Sequence, residues 1–134
     1  MTEKSENRDI IKKSYKKKII LIDRFTDSTI AYQHYGMGVN LNLIETLNKT
    51  LLRNINVSFT FLNIVNQKNL QKRLKQRKSL NRYDKFEMSF YNKVQRGFIK
   101  LSKKQKNKYQ LINSNLEIDK NEKLILSKIN KLIK

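Results

Sequence analysis

Cysteine and proline are both absent from this chain. Without cysteine there is no disulfide framework and no thiolate metal site, a composition that suits a reducing compartment. Without proline there is no obvious linker. Glycine occurs only at positions 36, 38 and 97. No G-x-x-x-x-G-K-[ST] string occurs, and three glycines so placed cannot make a phosphate-cradling loop. His34 is the only histidine, so a histidine metal site or a Ser/His triad lacks partners. Acid pairs such as Asp23 and Asp27 are too common to indicate general acid and base work. No apolar run approaches the roughly 20 residues of a membrane span. The amino terminus, M-T-E-K-S-E-N-R-D, has no secretory apolar segment and is too acidic for a typical transit peptide. We expect a soluble protein with no membrane association, kept where it is made.

Acidic residues are scarce as well: 11 Asp and Glu face 30 Lys and Arg, a net charge of +19 with a pI near 10.2. Such a balance ordinarily points to nucleic acid. Most of the basic residues are Lys, and Asn and Ile are also abundant. All three have A/T-rich codons, so an A/T-rich genome gives the same composition without selection for binding. At 134 residues the chain is at most one domain, and 38% hydrophobic residues imply a modest core.

Along the chain, residues 1–7 are polar and expected to be disordered. Residues 8–18, with Ile10, Ile11 and Tyr15, read as a short helix. Residues 19–22, four consecutive aliphatics, read as a buried parallel strand. Asp27 or Ser28 can cap the next helix. Leu41, Ile44, Leu47 and Leu51 recur at threes and fours, the spacing of an amphipathic helix with one buried face. Residues 57–65, V-S-F-T-F-L-N-I-V, are rich in β-branched and aromatic types and read as a second core strand. Leu70, Leu74 and Arg77 mark a helix leading into a basic loop. Phe86, Phe90, Val94, Phe98 and Leu101 mark a long helix over 85–104. Residues 109–112 read as a short strand, 113–115 as a turn, and 118–133 as a closing helix with Ile125, Ile129 and Leu132 on one face. Strands alternating with helices predict a parallel α/β sheet rather than a helical bundle.

The chemistry concentrates where the first aliphatic run meets Asp23 and Arg24, at a strand's carboxyl end, where open α/β sheets bind ligands. Ser28, Thr29, Tyr32 and Gln33 follow, then a glycine-bearing exit at Gly36 and Gly38. Arg24 can present a planar fork to phosphate. A pyrimidine edge with one donor and one acceptor suits Gln and Ser or Thr, which can do both.

Asp23-Arg24-Phe25, followed by Asp27-Ser28-Thr29-Ile30-Ala31-Tyr32-Gln33, resembles the Asp-Arg-aromatic signature and nucleoside-binding helix of bacterial-type thymidylate kinases. The basic run Lys72-Arg73-Leu74-Lys75-Gln76-Arg77-Lys78, with Asn81-Arg82, resembles that family's lid, here residues 72–84. F-Y-N-K-V-Q-R-G-F resembles the segment after the lid, with Phe90, Val94 and Gly97 matching, and Asn113-Ser114 corresponds to the loop that faces adenine. The resemblance implies a P-loop kinase-like parallel sheet with flanking helices. It also implies ATP-dependent phosphorylation of dTMP to dTDP with Mg2+. Catalytic roles then fall to Arg24, Asp23 and Arg77, with Asp23 reaching the metal through water. The dTMP contacts fall to Ser28, Thr29, Tyr32 and Gln33, and lid phosphate contacts to Arg73 and Arg82.

In the family the phosphate loop lies on a central first strand, between the strands matching residues 19–22 and 57–65. That strand and the next have no counterpart here, so the expectation is one incomplete domain over 1–134 with about three strands left. Local departures are His34, Met37, Asn40, Asn63, Lys78 and Asn81. A complementing amino-terminal fragment or a homodimer are the expected partners, besides dTMP and ATP. The expected location is cytoplasm, or the matrix of a plastid or other organelle with an A/T-rich genome. Two alternatives stay open: a non-catalytic basic nucleic-acid-binding protein, and a degenerate gene fragment.

Overall fold

The computed structural model describes residues 3–53, 55–77 and 86–134, and only the backbone of 3–8. Helix α1 spans Glu3–Ser14 and so starts inside the segment expected to be disordered. Residues 19–22 form no regular element, and α2 (Thr26–Thr29) runs directly into a π-helical segment, Ile30–Gly36. Next come α3 (Leu41–Leu52), β1 (Thr60–Ile64), α4 (Gln67–Lys75), α5 (Met88–Lys104) and a 3-10 turn, Lys106–Lys108. Strand β2 (Tyr109–Asn113) and α6 (Ile118–Ile133) end the chain.

The architecture is α/β: β1 and β2 pair in parallel, Thr60 opposite Tyr109 through Ile64 opposite Asn113, with helices around them. Parallel strands need a crossover, and α4 with α5 supplies it. The buried residues of the strands are Leu62 in β1 and Ile112 in β2. Among the described residues this sheet has two strands, not three. Residues 19–22 form no ladder, and Ile19, Leu21 and Ile22 are exposed at 65%, 80% and 44%. The aliphatic run is strand-like in sequence, but a strand exists only through a neighbour's backbone, and no described segment offers one. One edge of β1 is open for the same reason.

Packing is tightest between the π segment and α5. Ala31, Phe90 and Val94 are buried there, with Tyr32, Tyr91 and Phe98 packed around them. Two glycines permit the approach. A Cβ on Gly97 would lie 2.5 Å from Tyr35 Cδ2, and one on Gly36 would lie 2.6 Å from Phe90 Cε2. The wide turns show in backbone bonds from Met37 N–H to the Tyr32 carbonyl (3.1 Å) and from Val39 N–H to the Gln33 carbonyl (2.9 Å). Such π turns collect at functional sites.

Elsewhere the core is thin. In α3, whose first turn is capped by the Asn40 side chain accepting from Leu43 N–H at 3.1 Å, Ile44 is buried but Leu47 is 53% exposed. Helix α6 has no buried residue. Lys128 on this helix lies over the Phe59 ring just before β1, with Nζ 4.8 Å from the ring centroid. No described helix is long and apolar enough to cross a membrane.

Candidate functional site

After the aliphatic run of residues 19–22 the backbone turns at Arg24, whose φ is 61°. A left-handed residue other than glycine costs about 1–2 kcal/mol and marks a position worth functional attention. The turn brings the Arg24 side chain back over the following helix. Its Nη1 donates to the Tyr32 hydroxyl at 3.3 Å, and its guanidinium carbon lies 5.5 Å from that ring's centroid. Tyr32 is held from behind by edge-on contacts with Phe90 (6.0 Å) and Phe98 (6.3 Å). It is therefore both a core aromatic and a platform for Arg24.

Asp23 and Arg24 stand at one wall of a cavity of about 430 Å³, closed by Ile11, Ile20 and Leu51 among others. Asn48 also lines it, and its Nδ2 is the one buried side-chain polar atom without a partner among the described residues. Ser28, Thr29 and Gln33 are half-buried on the Tyr32 helix and do not line this cavity.

Neither Asp27 nor Ser28 caps α2, which has no side-chain cap. Asp27 instead accepts a hydrogen bond from the Tyr109 hydroxyl. Burial first, then that bond and the Asp27 charge, push the Tyr109 pKa above its ordinary 10.0. The hydroxyl therefore stays a donor, tying α2 to the start of β2.

A second group forms beyond the strands' carboxyl ends. Arg73 Nη2 donates to the Ser114 carbonyl at 2.6 Å, so this arginine touches the loop after β2. Asn115 Oδ1 accepts from Asn66 N–H (3.0 Å) and Asn69 Nδ2 (2.9 Å), while its Nδ2 donates to Asn113 Oδ1 (2.8 Å). Arg77 is exposed at the end of the described part of the basic run. Arg82, and the lid from residue 78 to 84, lie outside the described residues. The structure thus joins Arg24 to Tyr32 and Arg73 to Ser114, and the cavity at Asp23 and Arg24 includes no described residue of the second group. Asn115 was legible only as a turn residue, and nothing in the sequence pointed to Tyr109 or Asn48.

Among the described residues no three His, Cys, Asp or Glu gather where they could hold a metal ion. A lone exposed Asp23 suits a magnesium ion that arrives on nucleotide phosphates and keeps several waters, not a protein cage. Chemically, the first group offers a guanidinium fork and an aromatic face, and the second offers a cation and amides.

Comparison with known proteins matches residues 2–125 to the thymidylate kinase family model. The thymidylate kinase of Wolbachia pipientis from Culex pipiens is 33% identical over 105 residues, 78% of this chain and 49% of the relative. That of Wolbachia pipientis wMel is 38% identical over 88 residues, 66% of this chain and 43% of the relative. The crystal structure of thymidylate kinase from Ehrlichia chaffeensis superposes with a TM-score of 0.63 at 28% identity, covering 98% of this chain and 62% of that one. The chain spans about half the length of the curated relatives it matches.

Proposed function

The chain belongs to the thymidylate kinase family, and from that premise we propose that it forms the monophosphate-binding and lid part of a dTMP kinase site. The reaction is transfer of the γ-phosphate of ATP to dTMP. The observation that carries this reading is the convergence of Arg24 and Tyr32, the first strained at the end of the aliphatic run and the second braced by α5. Phosphoryl transfer asks chiefly for positioned positive charge. Arg24, already aimed over the Tyr32 helix, needs only a side-chain rotation to meet a phosphate whose sugar rests against Tyr32. Ser28, Thr29 and Gln33 read the pyrimidine. Arg73 and Arg77 approach from the lid side, and Asn113 and Ser114 face adenine. Asp23 would hold magnesium arriving with ATP, through water, and the ion would supply charge neutralisation at the transferring phosphate.

These 134 residues contain no phosphate-cradling loop, and they form one incomplete domain. The unpaired aliphatics at 19–22 and the open edge of β1 are where a complementing segment, bringing that loop on its own strand, seats by backbone pairing. The setting is the cytoplasm or an organelle matrix. Purified chain assayed with ATP, dTMP and magnesium should form no dTDP above background. Adding an amino-terminal polypeptide from one of the Wolbachia relatives should restore formation. Robust dTDP from the chain alone would refute the incompleteness, and failure of dTMP to shield Arg24 and Tyr32 from chemical modification would refute the site.

A further inference from the structure

Helix α5 carries a basic stripe that the kinase reading does not use. Lys93, Arg96, Lys100 and Lys103 recur at spacings of three and four, with Lys104 beside them, and all are exposed. That spacing places them on one face, apart from the face that buries Phe90, Val94 and Gly97. The stripe runs on into the turn after the helix, where Lys103, Lys104, Lys106 and Lys108 line an open cup of about 490 Å³. No Asp or Glu occurs between Glu87 and Glu117, so nothing within this segment neutralises the stripe.

We infer that the stripe on α5 and the lysine cup below it form a binding surface for the phosphodiester backbone of nucleic acid, independent of the nucleotide site. From Lys93 to Lys104 the helix covers about 16 Å at 1.5 Å per residue, a span of about five phosphates along one strand. Lysines at such a surface release counterions from the backbone and give affinity without sequence readout. A lipid surface fits less well. None of the exposed large apolar residues falls between Phe86 and Leu111, and a cationic face with no apolar anchor gives a bilayer little to bury.

The test is fluorescence anisotropy of the full chain on a labelled DNA duplex across a potassium chloride series. With about five phosphates neutralised, log affinity should fall against log salt with a slope of about −4.5. A variant with Lys103, Lys104, Lys106 and Lys108 all changed to Gln should bind at least about tenfold more weakly near 100 mM salt, with a slope shallower by about 3.6. A control variant changes Lys120, Lys123, Lys131 and Lys134 to Gln, altering net charge equally on α6. It should lose less than about threefold. Circular dichroism checks that both variants fold. A single Lys106→Gln change in the turn, outside α5, should still lower the slope by about 1 if the quadruple variant does not fold. Equal loss in the two quadruple variants, no binding at low salt, or binding to phosphatidylserine vesicles but not to the duplex would each overturn the inference. None of these outcomes depends on dTMP, so this surface and the kinase site stand or fall separately.

Discussion

Two regions of the molecule have comparable apolar content in sequence and opposite structures. The π segment and α5 bury their apolar residues against each other, with Ala31 at 0% exposure and Val94 at 4%. Residues 19–22 and α6 have comparable apolar content, yet Leu21 is 80% exposed and α6 has no fully buried residue, Ile125 and Ile129 being half-buried. The first region brings its own partner, because a helix satisfies its backbone internally and asks a neighbour only for surface. Residues 19–22 have no such recourse, because a strand's backbone groups need another strand, and α6, whose backbone is satisfied, lacks only a surface to cover its apolar face. The difference explains how the Arg24 and Tyr32 pair can be in place while the sheet that should carry Arg24 is not.

The contrast can be broken most forcefully at Phe90, which is stacked on Phe86 at 4.3 Å between ring centroids and touches Tyr32 edge-on. Phe90→Ala should cost about 3–5 kcal/mol, enough to unfold a thinly cored domain in urea titration. Gly97→Ala comes next. Its methyl would sit 2.5–2.7 Å from three atoms of Tyr35, and the forced separation of α5 from the π segment should cost about 1–3 kcal/mol.

Tyr109→Phe removes the donor to Asp27 and should cost about 1–2 kcal/mol at neutral pH. Its pH dependence sharpens the point. Because the folded state raises the hydroxyl's pKa above 10.0, its stabilisation is complete below pH 10 and is lost as pH rises beyond that value. Wild type should therefore lose stability above pH 10 more steeply than Tyr109→Phe, while the gap between them stays constant from pH 7 to 9. The smallest effect is expected in the unpartnered region, where Leu21→Ser should change stability by no more than about 0.5 kcal/mol. A loss as large as that of Gly97→Ala would show that the aliphatic run is already packed.

The elements most legible from sequence were those whose causes are local. Helix α6 begins and ends where its apolar spacing did, at Ile118 and Ile133, and α5 falls within three residues of expectation because Phe90, Val94 and Leu101 mark its face. Strand β2 was read almost to its end, whereas β1 proved shorter, since Val57 and Ser58 find no partner opposite them. Residues 19–22 misled because aliphatic content signals a wish for burial, and burial depends on what lies alongside. At the candidate site, the resemblance singled out Arg24, Tyr32, Arg73 and Ser114, but not that Arg24 meets Tyr32 or that Arg73 meets Ser114. The bond between Tyr109 and Asp27 spans 82 positions, and no local pattern announces such a contact.

Amide hydrogen exchange measured separately over residues 19–22 and over Ile30–Gly36 tests the central claim most directly. In the chain alone, residues 19–22 should exchange at close to unprotected rates while the π segment is slow, and adding the complementing amino-terminal polypeptide should slow residues 19–22 together with the amides of β1. Protection of residues 19–22 equal to that of the π segment in the chain alone, or no change on adding the polypeptide, would contradict the account.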